Sequence, residues 1–143
     1  MGILHVCDKQ KSIIFVVWDG RVTADEWLNQ ASKLLAEPDW PHIFRVIGDA
    51  QTASDTTSIG DKELEAVAAL FGAHPETVVK KKVAVLANNM FGRARKFGAQ
   101  LERFGTSLVV FNRLDTACMF LGIDPIETEE TLEHLRLRLR SET

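Results

Sequence analysis

Apolar and polar positions in this chain follow two periods that alternate along its length. Short apolar runs at Ile3–Cys7, Ser12–Trp18, Ile43–Gly48, Val83–Ala87 and Leu108–Phe111 predict five strands. The run Ile13–Trp18 is continuously apolar, as a strand covered on both faces should be. Between the strands the period lengthens to that of a helix. Trp27, Leu28, Ala31, Leu34 and Leu35 form one stripe, and Leu64, Val67, Ala68 and Phe71 form a second. A third stripe is Ala94, Phe97, Leu101 and Phe104. Cys118 and Leu121 face inward on a short helix, and Leu132, Leu135 and Leu139 mark a last one.

Polar residues punctuate this pattern. Asp8–Lys11 has hairpin length, so the first two strands pair antiparallel. Asp19–Val22 reads as a turn. Thr23 with Glu26 makes a capping box, and Asp124-Pro125 with Glu127 is a second helix start. Pro38 and Pro41 bracket a connector anchored by Trp40, Gly72 is placed to end the second long helix, and Gly122 ends the short one. Asp49–Gly60 reads as a long irregular polar loop. The order is β-β-α-β-α-β-α-β-α-α. It predicts an α/β domain with a mostly parallel sheet of about five strands, opened by an antiparallel hairpin, with helices packed on it. The strand–helix–strand unit within Lys80–Asn112 is its centre. The domain spans residues 1–123, and the helix in 124–143 packs either on it or on a partner subunit, so a homodimer is open.

Composition narrows the function classes. The 143 residues carry a formal net charge of -3, which argues against nucleic acid held by bulk electrostatics. Lys80–Lys82 is a solvated strand entrance. No stretch reaches the ~18 apolar residues of a membrane span, and no leader pattern opens the chain, so a cytoplasmic location is expected. Cys7 and Cys118 read as buried, reduced thiols, and no zinc-type Cys/His spacing is present. No metal and no cofactor are expected.

In an open α/β sheet, ligands bind beyond the carboxyl ends of the strands. Those ends carry Asp19, Arg21, Asp49, Asn88, Asn89, Arg93, Asn112 and Arg113, a candidate ligand or partner edge whose residues also suit ordinary turns and caps. A phospho-aspartate pocket is excluded because the fifth strand ends in Asn112-Arg113 with no lysine. Nucleotide-binding glycine motifs and a Gly-x-Ser-x-Gly nucleophile turn are absent. His5, His42, His74 and His134 show no relay spacing. No catalytic residue is assigned, and the chain reads as a non-enzyme.

Four stretches carry a resemblance. Val83–Ala87, Gly92–Phe97, Val109–Phe111 and Ala117–Ile123, with Asp19–Thr23 earlier, are similar in layout to the SpoIIAA-like family of small bacterial proteins. That resemblance covers about Ile3 to Ile123 and implies a STAS-like or CRAL-TRIO-like fold without established catalysis. STAS relatives such as anti-anti-sigma factors bind a protein partner under control of a phosphorylated Ser or Thr before the helix that follows the third strand. Asp55–Gly60 has that outline, with Ser58 where the motif has glycine, so Thr56, Thr57 and Ser58 are the candidate phosphoacceptors. The resemblance thus implies a regulatory interaction module. Its alternative is a carrier for a small molecule or lipid, which needs an apolar pocket of about 300 Å³ or more under the 49–60 loop. An uncharacterised enzyme is the second alternative.

Overall fold

A computed structural model describes residues 2–142. Five strands form one sheet in sequential order: β1 (Ile3–Asp8), β2 (Ile13–Arg21), β3 (Arg45–Asp55), β4 (Lys82–Leu86) and β5 (Ser107–Phe111). β1 pairs antiparallel with β2, and every later pair is parallel. The helices are α1 (Ala24–Leu35), α2 (Asp61–Gly72), the short α3 (Pro75–Val78), α4 (Phe91–Glu102), α5 (Leu114–Leu121) and α6 (Pro125–Ser141). The expected mostly parallel α/β sheet with an opening hairpin is what forms.

The expected starts and stops hold at most helix ends. Thr23 Oγ1 accepts the Glu26 amide at 3.2 Å, and Glu26 reaches back to the Thr23 amide. Asp124 caps α6 by accepting the Glu127 amide at 2.8 Å. Gly122 closes α5 with φ of 70°. Gly72 is the last residue of α2, where the sequence places the end of that helix. It does not adopt a left-handed conformation there, and a β-carbon on it would collide with the Phe104 ring, so close packing also requires that glycine.

Two segments read as irregular are strand. Asp19–Arg21 belongs to β2, and residues 49–55 belong to β3, leaving only 56–60 as the connector to α2. Beyond Val17↔Asp49 the two strands run on as a bulged ribbon, with Asp19 opposite Thr52 and Arg21 opposite Asp55. The bulges hid this strand: they put Ala50 and Ala53, three apart, on the buried side and break the period of two.

Sequential strand order has a geometric consequence. Parallel crossovers of one hand, all progressing the same way, deliver α1, α2 and α4 to one face. α5 and α6 then cover the other, with α5 over β4 and α6 over β2 and β1. On that second face Ile13, Phe15, Val17, Ile47, Ala84 and Leu86 pack against Ala117, Leu121, Leu132, Leu135 and Leu139. Asp49 also projects there, 3 % exposed, and Arg136 of α6 binds it. Arg136 is held in turn by Glu129 at 3.1 Å and Glu133 at 2.8 Å. Arg140 pairs with Asp19 through two bonds of 3.0 and 3.1 Å, which hold the Asp19 carboxyl below the usual carboxylate range. Arg136 and Arg140 fasten α6 to this domain.

Replacing Arg136 with Met leaves the Asp49 carboxylate buried without its cation, and should cost about 3 kcal/mol in urea unfolding. Adding Asp49→Asn to that variant should recover part of the loss.

Candidate functional site

The α1/α2/α4 face is hollow at its centre. α1 lies against β1 and α4 against β5, while α2 bridges those two helices instead of resting on the sheet. Beneath it lies a cavity of about 160 Å³. Its floor is Val16, Gly48, Val83 and Val85 from the three central strands. These four remain only half-buried, whereas Val17, Ile47 and Ala84 on the opposite face have no exposure at all. Gly48 is the clearest sign: it sits mid-sheet, and a β-carbon built on it meets nothing within 4 Å.

Aromatic rings keep the roof from settling. Trp18 meets Trp27 edge-on at 5.4 Å, Trp27 meets Phe97 at 5.0 Å, Phe97 meets Phe71 at 6.4 Å, and Phe71 meets Trp40 at 5.7 Å. This chain of rings joins β2, α1, α4, α2 and the 3-10 turn Trp40–His42. It spans the cavity from one end to the other.

Lys81, Arg93 and His5 line the cavity, and no Asp or Glu does. Lys81 is 1 % exposed, which corrects its reading as part of a solvated triplet. Period-two alternation puts it on the same face as Val83 and Val85. Its Nζ donates to Trp40 O at 2.6 Å and to Ile43 O, and lies 4.1 Å from the centre of the Trp40 ring. Burial draws its pKa from 10.5 down to about 8. The Trp40 indole N–H has no acceptor among the described residues. At the other end of the cavity Arg93, in the first turn of α4, donates to Thr56 O at 2.8 Å and to Thr56 Oγ1.

The structure thus brings together two of the sequence candidates, Arg93 and Thr56, and buries the Thr56 hydroxyl between them. Thr57 Oγ1 donates to Asp55 at 2.8 Å, and Ser58 Oγ accepts the Ala24 amide at the start of α1. None of the three caps α2, at whose start the Glu63 carboxylate accepts the Gly60 amide at 2.7 Å. Arg21 stands 3.9 Å from Asp55, and Arg113 pairs with Asp115 at 2.7 Å. Asn88, Asn89 and Asn112 are exposed turn residues. Asp19 and Asp49 face α6, on the opposite side of the sheet from the cavity. The candidate edge is therefore divided by the sheet. The cavity lies under α2, not under a 49–60 loop, and is smaller than the expected carrier pocket.

Comparison with known proteins rests on structure. No family model matches the sequence, and no curated protein matches it. A solved structure does: an uncharacterised protein of the DUF3478 family from Shewanella loihica PV-4, described as having a SpoIIAA-like fold. The two superpose with a TM-score of 0.54 at 15 % identity, over 84 % of this chain and 94 % of that one. This chain has a SpoIIAA-like fold. At that identity the likeness shows the fold alone, and the cavity residues speak for themselves. No helix of the described residues is long and apolar enough to cross a membrane.

Gly48→Val should fill the hollow and raise stability by about 1 kcal/mol, measured by denaturant titration. A drop instead would mean that the helices already rest on this glycine. Lys81 gives a pH signature. The folded chain disfavours the ammonium, so between about pH 8 and 10.5 the unfolded chain holds the extra proton. Stability of the wild type, relative to Lys81→Met, should rise through that window as pH increases.

Proposed function

We propose that this protein is a non-catalytic binding module for a small, apolar carboxylic acid held in the cavity beneath α2. The observation that carries the reading is the unequal burial of the sheet: its centre is closed on the α5/α6 face and half-open on the other, where Gly48 leaves space. A dry apolar hollow of about 150 Å³ accommodates a single aromatic ring. At about 160 Å³ this cavity suits a ring or a short branched chain rather than a long acyl tail.

The lining adds a charge preference. Lys81 and Arg93 are cations in a wall without carboxylates, and the Trp40 indole supplies a further donor. An anionic group on the ligand would provide the countercharge that Lys81 lacks in the wall. The burial of Thr56 under Arg93 favours this reading over a phosphoswitch at that hydroxyl, because a kinase would first have to open the contact.

Benzoate, benzamide and toluene serve as probes of equal ring size. Benzoate should raise the melting temperature of the wild type most, and Lys81→Met should abolish its advantage over benzamide. A ligand at 100 times its Kd stabilises by about 2.7 kcal/mol, well within the reach of a thermal melt. No shift with any of the three, in a protein whose melting temperature does respond to Gly48→Val, would overturn the reading.

A further inference from the structure

A second cluster stands at the outer edge of the sheet and shares His5 and Gln30 with the cavity wall. Strand alternation puts His5 and Cys7 on one face of β1, two residues apart. Glu37, just past the end of α1, comes down over them. A ring nitrogen of His5, Sγ of Cys7 and a carboxylate oxygen of Glu37 lie within 4.8 Å of one another. His5 Nε2 faces Glu37 Oε1 at 2.9 Å. Its Nδ1 is held by the side-chain amide of Gln30, a buried residue of α1.

We propose that His5, Cys7 and Glu37 form a binding site for a divalent transition-metal ion of the zinc class. One nitrogen, one sulfur and one oxygen donor suit a borderline-soft cation that accepts tetrahedral geometry, with water in the fourth position. Magnesium and calcium, which demand oxygen ligands, do not fit this set. Gln30 supplies what a ligating histidine needs from its surroundings: a partner on the other ring nitrogen that fixes the ring's orientation. A side-chain amide can accept there as readily as it donates.

Cys7 is a free, half-buried thiol. A bound dication favours its thiolate form. Binding balances as follows. The Cys7 S–H bond breaks and its proton leaves to solvent as the metal–sulfur bond forms. The imidazole proton moves from Nε2 to Nδ1, where the Gln30 amide oxygen accepts it. Glu37 gives up its hydrogen bond to His5 and takes the metal instead.

Cobalt(II) is the probe, titrated into the reduced, full-length chain. One equivalent should produce a thiolate-to-cobalt charge-transfer band, and zinc should displace it. The band should vanish in Cys7→Ser and persist in Cys118→Ser, and His5→Gln and Glu37→Gln should each weaken binding at least tenfold. Alkylation of the wild type needs no variant: zinc should protect Cys7 from iodoacetamide, read by peptide mass spectrometry. The absence of a band, a band that follows Cys118 instead of Cys7, or unprotected Cys7 at saturating zinc would overturn the proposal.

Discussion

Sequential strand order is the constraint from which the rest of this molecule follows. Strands that add one after another in the same direction must send their crossover helices to a single face. Three helices then share that face, and the middle one is carried by its neighbours. The other face is left to whatever follows the last strand, here α5 and α6. Both sides of the sheet carry a buried core, and the side under the three helices also holds a hollow. The aromatic chain from Trp18 to Trp40 stabilises that hollow by joining the helices to one another where they do not meet the sheet.

Much of the fold was legible because local and global signals agree. Thr23-x-x-Glu26, Asp124-Pro125 and Gly122 set helix ends by short-range chemistry, which tertiary structure has no reason to override. The bulged extension of β2 and β3 was not legible. A bulge works by breaking the alternation from which a strand is recognised, and small residues such as Ala50 and Ala53 carry little hydrophobic signal of their own. Gly72 marks the end of its helix as expected, but nothing in the sequence says that Phe104 also needs the room there.

The cavity was less legible than the fold. A hollow is a shortage of side-chain volume summed over several distant elements, and no single stretch records it. Lys81 in its wall and the His5–Cys7 pair at the sheet edge did leave traces. Lys81 falls in phase with Val83 and Val85, but the charge of Lys80–Lys82 points the triplet to solvent, and the alternation is the signal that holds. His5 and Cys7 share a face by the same rule, although zinc spacings are usually sought on turns and helices. Glu37 and Gln30 could not be added to them without knowing that α1 lies against β1. The structural likeness at 15 % identity cannot supply such residues either, since function is set by side chains that a shared backbone does not specify.

The bond between Arg136 and Asp49 has a consequence for biogenesis. Asp49 belongs to the central strand, yet the guanidinium that neutralises it comes from α6, which leaves the ribosome after every strand and every other helix. A nascent chain exposed up to Ile123 has all five described strands, an apolar face covered only by α5, and a carboxylate within it. Its exposed face is the surface that chaperones hold and that neighbouring chains on a polysome adhere to. Maturation of this domain therefore depends on the delivery of α6, and the Asp49 charge discourages the unfinished sheet from burying that face against the wrong partner.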